Sequence, residues 1–330
     1  EAYTDLMVEQ KLVPEVVVGK YRIPDFPTAS APSESQFADA LAWARAQGVP
    51  ISVRSGGHSY EAYSALDNRL LIDLSGLTHL DVDHAAGTAT IGPGARLLDL
   101  YRALAAEGVA LAGGTCPGVA LGGLVLGGGI GFRSRRDGLT CDSLVSAEVV
   151  LPDGRVVPAS ASEQPDLFWA LRGGGGGNFG ITTSLTLRTT PAEDVALASI
   201  TWPWDEAMQV IAAWQAWAPY ADSRLASSLA FFRPDSGVIG FTGVLLGPVD
   251  EFETLLAPLL TAGSPSPHLR PLSWLEAAEV LAGPSVGQVT FKNGSAFVYT
   301  PLPAEAIALS VDHMAVAPAP ANLISFFALG

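Results

Sequence analysis

Two side chains in this sequence, one histidine and one cysteine, stand in glycine settings that point to chemistry. The histidine belongs to Arg54-Ser55-Gly56-Gly57-His58-Ser59-Tyr60, directly after the apolar run Pro50-Ile51-Ser52-Val53. The cysteine belongs to Gly113-Gly114-Thr115-Cys116-Pro117, near the head of a stretch, Leu111 to Ser143, in which ten of 33 residues are glycine. The later glycines are separated by Val119, Ala120, Leu121, Leu124, Val125 and Leu126, where a flexible linker would carry Ser, Gln or Glu. Apolar spacers indicate a buried backbone that passes close to something large. Glycine lacks a Cβ and adopts positive φ, so successive N–H groups can turn towards one anionic or polar ligand. For Cys116 alone, a glycine-rich packed turn around a small core thiol fits the same residues.

Other chemistries fail on context. Gly175-x-Gly177-x-x-Gly180 matches the dinucleotide fingerprint in letters, but it follows a predicted helix and enters a predicted strand, the reverse of what that motif needs. Gly283-Pro284-Ser285-Val286-Gly287 matches a nucleophile elbow in letters and is likewise reversed, so it reads as a plain turn. Gly19-Lys20 lacks the upstream glycine and the following Ser/Thr of a P-loop. Of the five histidines only His79 and His84 are close, and their spacing is not that of a helical zinc pair; no metal site is expected. A net charge of −15 argues against nucleic acid as a partner. No run of 18 apolar residues occurs, so no membrane span is expected. Two cysteines in 330 residues make no disulfide framework. The first ten residues lack a basic start and an apolar core, so the compartment stays open between the cytoplasm and secretion after signal removal.

The elements that must position these residues are short and mixed in the first half. Ser33-Glu34-Ser35-Gln36 opens a helix with Phe37, Ala40, Leu41 and Ala44 on one face, closed by Gly48. Val16–Val18, 50–53, 70–74 and 88–91 read as strands, and Leu97 to Gly108 as a helix. Ala147 to Leu151 is a strand entering a Pro152-Asp153-Gly154 hairpin turn, 166–172 a helix, and Ile181 to Leu187 a strand. After about Pro191 glycine thins and tryptophans appear. Helices are predicted over 205–218, 249–260 and 274–281, and strands over 227–232, 237–246, 288–291, 296–299 and the chain's last five residues. That is an α+β pattern with an antiparallel sheet. Trp202, Trp204, Trp214 and Trp217 are expected to pack in its core. The expected division is 1–190 and 191–330.

Three segments, VRSGGHSY at 53–60, GGTCPGVALGGLVLGGGIGFRSRRDGLTCD at 113–142 and LFWALRGGGGGNFGI at 167–181, resemble the flavin-dependent oxidases of the berberine bridge enzyme and sugar oxidase group. That group lies in the vanillyl-alcohol oxidase, or PCMH-type, superfamily. The resemblance is dense from Pro27 to Thr189 and looser beyond. It implies an FAD domain of two α+β subdomains over 1–190 and a substrate domain with an antiparallel sheet and helices over 191–330. It also implies FAD linked through His58 to the 8α-methyl carbon and through Cys116 to ring position 6. An imidazole and a thiolate are nucleophiles suited to an electrophilic flavin. The implied cofactor contacts are Arg54, Ser55, Gly56, Gly57 and Ser59 near the pyrophosphate, then Gly114, Thr115, Val119, Gly122, Gly123, Gly127, Gly128, Gly129 and Gly131 along the ligand. Asp142, Asn178, Gly180 and Ile181 complete the set.

The implied reaction is hydride removal from an alcohol, sugar or secondary-metabolite substrate, with dioxygen reoxidising the flavin to give hydrogen peroxide. Members of the group end in a segment that returns to the FAD domain with an Asn-Tyr pair, whose tyrosine serves as or assists the base. No such pair occurs in these 330 residues: either the chain is a fragment without the usual return segment, or the protein lacks the usual base, in which case Tyr60, beside the flavin-linking loop, is the substitute to test. Without the usual base, a flavin-binding protein without turnover is the rival reading, and a dehydrogenase with another acceptor is a third. Substrate identity and oligomeric state are not legible.

Overall fold

Strand alternation in the first half and amphipathic helices in the second divide the chain into two compact units in a computed structural model that describes residues 34–283, 293–319 and 322–328. The readings at Val16–Val18, Gly19-Lys20 and 288–291, and most of the Gly283–Gly287 turn, lie outside those residues. The first unit takes in the described residues up to Gly131, Gly138–Pro191 and the described residues from Leu281 to Gly283; the second takes in Phe132–Asp137, Ala192–Val280 and the described residues from Asn293 onwards.

In the first unit, Ile51–Arg54 pairs in parallel with Leu70–Asp73, and Arg54 meets Asp73 across the pair in a 2.7 Å ion pair. The helix Glu34–Gln47 lays Phe37, Leu41 and Ala44 against Leu70, Ile72, Leu74, Val150 and Ile181. A five-stranded antiparallel sheet runs in the order Leu80–Asp83, Thr88–Ile91, Ile181–Arg188, Leu144–Val150, Val156–Ser160. The helix Leu97–Ala106 buries Leu97, Leu100, Tyr101 and Leu104, the spacing of one apolar face. The helix Pro165–Ala170 does precede the strand Ile181–Arg188, the reversed order that disqualifies a dinucleotide fingerprint at 175–180.

The second unit is a five-stranded antiparallel sheet in the order Ser266–Leu272, Val195–Pro203, Val238–Leu245, Leu225–Phe231, Ile324–Ala328. One face packs Ala198, Ile200, Trp202, Phe231 and Phe241 with residues of the helices Ala207–Trp217, Val249–Leu260 and Ala304–Ala315. Trp202 is fully buried and its indole N–H donates to the Ala262 carbonyl at 2.7 Å; Trp214 is also core. The other face carries His268, Ser199, Thr242, Ser228 and Phe327 side by side in one cross-strand row. The expected strand at 296–299 is not one. That segment is irregular, with Phe297 and Tyr299 exposed and their rings 6.4 Å apart, because no neighbouring strand pairs with it. Among the described residues no helix is long and apolar enough to cross a membrane.

Candidate functional site

Three loops of the first unit are knitted together around His58. The Ser55 hydroxyl donates to the Pro93 carbonyl at 2.5 Å, and the Gly122 N–H donates to the same oxygen at 2.9 Å. Leu121 N–H donates to Ala95 O and Leu97 N–H to Val119 O, both at 2.9 Å, with Arg96 and Ala120 forming a β-bridge between them. A Cβ added to Gly56 would stand 2.6 Å from the Ala120 nitrogen, so only glycine lets residues 55–57 lie against 119–121. Gly57 has φ +74°, which glycine adopts without strain and which turns the chain into His58.

The knit brings the histidine and cysteine segments to one place. A Cβ on Gly118, two residues past Cys116, would stand 3.3 Å from His58 Nε2. Packing around the ring pushes the His58 pKa below the ordinary imidazole value; the Gly118 backbone opposes this and the Arg96 charge adds to it. The result is a neutral imidazole near pH 7, the form in which it is a nucleophile. Cys116 is exposed, whereas Cys141 is buried and its thiol pushed up by that burial and by Asp142. Of the two thiols only Cys116 is open to a ligand.

The expected glycine surface divides in two. Gly122, Gly129, Gly131 and Gly180 are required by the protein itself. Their Cβ atoms would meet Pro93 Cβ at 2.7 Å, Thr140 Oγ1 at 2.2 Å, Gly113 O at 1.8 Å and Val149 Cγ1 at 2.6 Å. Gly123 and Gly127 have nothing within 4 Å of a Cβ, and Gly128, at φ +120°, has only Leu139 at 3.8 Å. Residues Leu121–Gly127, within the stretch expected to lie along the cofactor, form a seven-residue helix. The helix thus carries glycine at its exposed positions 123 and 127, with open space where a Cβ would stand. The glycines, the imidazole and the exposed thiol all suit a flavin.

The remaining expected contacts serve the local chain. The Asp142 carboxylate accepts from the Leu139 N–H at 2.9 Å, closing its own turn, and the Asn178 amide donates to the Gly174 carbonyl at 2.9 Å. Ile181 is buried beneath the sheet opposite Val150. Gly114 is fixed by the Tyr101 hydroxyl, which donates to its carbonyl at 2.7 Å. Thr115 is half-buried beside it and Ser59 half-buried after His58, its hydroxyl accepting from the Tyr63 N–H. Tyr60 is 72% exposed. Arg96 and Gly118 escaped the sequence reading; the Gly92-Pro93-Gly94-Ala95-Arg96 turn before a helix was the available signal.

Residues 28–160 match the family model described as an FAD binding domain. The uncharacterised FAD-linked oxidoreductase YgaK of Bacillus subtilis is 44% identical over 275 residues, covering 82% of this chain and 61% of that protein. This chain therefore spans about three-fifths of that relative's length. A solved chitooligosaccharide oxidase aligns over 99% of this chain and 75% of its own, with TM-score 0.80 and 27% identity. The solved glucooligosaccharide oxidase of Acremonium strictum, described with a 6-S-cysteinyl, 8α-N1-histidyl FAD, aligns at TM-score 0.78 and 30% identity over 89% of this chain and 65% of its own. The fold, the glycine-framed histidine and cysteine segments and these relatives agree, and the chain belongs to the FAD-linked oxidases of the berberine bridge enzyme and sugar oxidase group, in the PCMH-type FAD-binding superfamily.

Proposed function

We propose that the protein is an FAD-linked oxidase that carries its flavin on two bonds, through His58 Nδ1 and Cys116 Sγ, and oxidises a polyhydroxylated substrate. The observation that carries the reading is the placement of an imidazole whose pKa burial lowers beside the segment that bears an exposed thiol. Bound FAD supplies a two-electron acceptor for hydride. Residues 54–59 and 114–131 would hold and orient it, with Gly123 and Gly127 leaving it room. Asp142, Asn178, Gly180 and Ile181 act from behind, by fixing the turns and strand on which those loops rest.

A sugar or another polyol is the substrate class. The open row on the second unit's sheet presents the Ser199, Thr242 and Ser228 hydroxyls and the His268 ring, groups that donate and accept hydrogen bonds to vicinal hydroxyls. The named oligosaccharide oxidases among its relatives favour the same class. Tyr60 is the proton acceptor this chain offers, and dioxygen the electron acceptor.

The test is photoreduction of the purified protein, followed by timed reoxidation in air and a screen of sugars and alcohols for peroxide. Bleaching of the flavin by a sugar, with peroxide released, supports the oxidase. A flavin inert to every substrate would indicate a carrier, and slow reaction with dioxygen beside fast reaction with a dye would indicate a dehydrogenase.

A further inference from the structure

The aromatic rings of the second unit's sheet divide unevenly between its two faces. Its strands carry Trp202, Phe231, Phe241, Phe326 and Phe327. The first three are buried in the core, and the Phe326 ring packs there too, 6.1 Å from Trp214 and 6.3 Å from Phe231. Successive side chains of a strand point to opposite faces, so Phe327 stands on the other face, where it is 58% exposed. It forgoes the burial that the other four rings obtain. A lone exposed apolar side chain is ordinary on a protein surface, but this one ends a row of hydrogen-bonding groups. Ser228 lies directly opposite it on the next strand, and Ser325, paired with Ala230, lies two residues before it on the same face. Beyond Ser228 the row runs through Thr242 and Ser199 to His268. With neighbouring strands about 4.8 Å apart, the four intervals put roughly 19 Å between Phe327 and His268.

We propose that Phe327 is a specificity-determining residue, the platform on which one ring of a sugar substrate stacks while Ser228 and Ser325 beside it hydrogen-bond the hydroxyls at that ring's edge. The inference rests on the polyol reading of this row given above. A pyranose is amphipathic: its hydroxyls project around the edge, and its axial C–H bonds leave the two faces apolar. The face of a phenyl ring carries partial negative charge and the C–H hydrogens partial positive charge, so the two attract face to face. The flanking serines suit the edge because each hydroxyl both donates and accepts. Ala230, with a single methyl, does not crowd the ring. A row of hydroxyls alone would hold any polyol, open-chain or cyclic. An aromatic platform at its end selects a ring, and the length of the row beyond it gives room for a second ring in line. The site therefore favours a sugar of two or more rings over a linear polyol.

The experiment compares FAD-loaded wild type, Phe327→Leu and Phe327→Tyr, with cellobiose, xylobiose and sorbitol as probes. Leucine keeps apolar bulk without a ring, and tyrosine keeps the ring. Flavin reduction without oxygen gives the apparent Kd and limiting rate whatever the electron acceptor, and saturation-transfer NMR reports which sugar protons lie against the protein. In wild type one of the disaccharides should reduce the flavin, and the axial protons of one ring face should be saturated more than those of the other. Phe327→Leu should raise the apparent Kd of that disaccharide roughly three- to tenfold, the effect of one aromatic contact, at an unchanged limiting rate, and lose the one-sided saturation. Phe327→Tyr should match wild type, and sorbitol should treat all three proteins alike. An equal Kd in Phe327→Leu and wild type would overturn the proposal, as would a lowered rate at unchanged Kd, or a Kd raised as much in Phe327→Tyr as in Phe327→Leu. The exposed ring predicts one Tm for all three proteins, so a lower Tm in Phe327→Leu accompanying its weaker binding marks a structural role and overturns it too. If wild type neither binds nor oxidises any sugar, the polyol reading falls and this inference with it. A disaccharide that reduces wild type and Phe327→Leu equally well removes the inference alone.

Discussion

Cys116 and Cys141 differ in the one respect that decides reactivity. The first is open, and the second is buried with its thiolate disfavoured by burial and by the Asp142 charge. If the flavin is carried on His58 and Cys116, acid-precipitated protein stays yellow and gives a fluorescent band on a denaturing gel. His58→Ala and Cys116→Ala should each retain attached flavin, the double variant none, and Cys141→Ala should match wild type. A colourless pellet from wild type, with all FAD in the supernatant, would refute covalent attachment. At this scale the sequence was informative about the two nucleophiles because each carries its glycines beside it. Gly118 and Arg96 were not legible, since their closeness to His58 arises only when the 93–97 and 116–122 loops hydrogen-bond to each other.

The helix Leu121–Gly127 shows why elements were harder to read than residues. Its Leu-Gly-Gly-Leu-Val-Leu-Gly sequence carries three poor helix formers in seven positions, so propensity argues for a loop. Gly122 is imposed by Pro93, but a Cβ on Gly123 would meet nothing within 4 Å. Gly123→Ala should stabilise the apoprotein by about 0.5–1 kcal/mol, as expected for a helical Gly→Ala change, while weakening FAD binding. Gly129→Val should fail for another reason: a clash with Thr140 at φ +84°, visible as a fall in stability before any flavin is added. Urea titration of both apoproteins, with flavin titration of each, distinguishes these outcomes. The strand Ser266–Leu272 was missed for a similar reason. Pro267 and Pro271 break the usual strand signal, and they are tolerated because this strand lies at the sheet edge. Long apolar alternations, as in Ile181–Arg188, were read correctly because burial on one face enforces them.

Within the second unit, one short segment concentrates the charged contacts. Arg133 is fully buried, donates to Asp137 at 2.9 Å, and stands 4.9 Å from the Trp274 ring centre. The Arg135 guanidinium donates to the carbonyls of Ala218, Pro219, Ala221 and Leu225 at 2.7–3.2 Å. Arg135→Ala leaves those four acceptors without that partner and should cost roughly 2–4 kcal/mol, measured as a lower urea midpoint. Burial opposes ionisation of Asp137, but its hydrogen bonds to Arg136 and Arg133 and their charges outweigh it, so its carboxyl titrates below the usual range. Its contribution is therefore complete above about pH 4 and lost as pH falls through the folded-state value. Asp137→Asn should be less stable at neutral pH and should lose less stability on acidification; an unchanged acid limb would exclude Asp137 as its source.

For the whole molecule, the composition set the class and the charge argued against nucleic acid, but the way the cofactor contributes to stability follows only from the site. A ligand that binds the folded state alone stabilises it by mass action, about 2.7 kcal/mol when its free concentration is 100 times Kd. A ligand joined by two bonds cannot be diluted away, so that contribution becomes independent of free FAD. The wild-type protein should therefore melt at one temperature whether or not FAD is added, and at every protein concentration tried. The His58→Ala, Cys116→Ala double variant should melt lower, and its Tm should rise with added FAD along the mass-action curve. Each single variant should behave as wild type, because one bond already prevents escape. A wild-type Tm that climbs with added FAD would show that the flavin exchanges, and that the histidine and the cysteine line a non-covalent site.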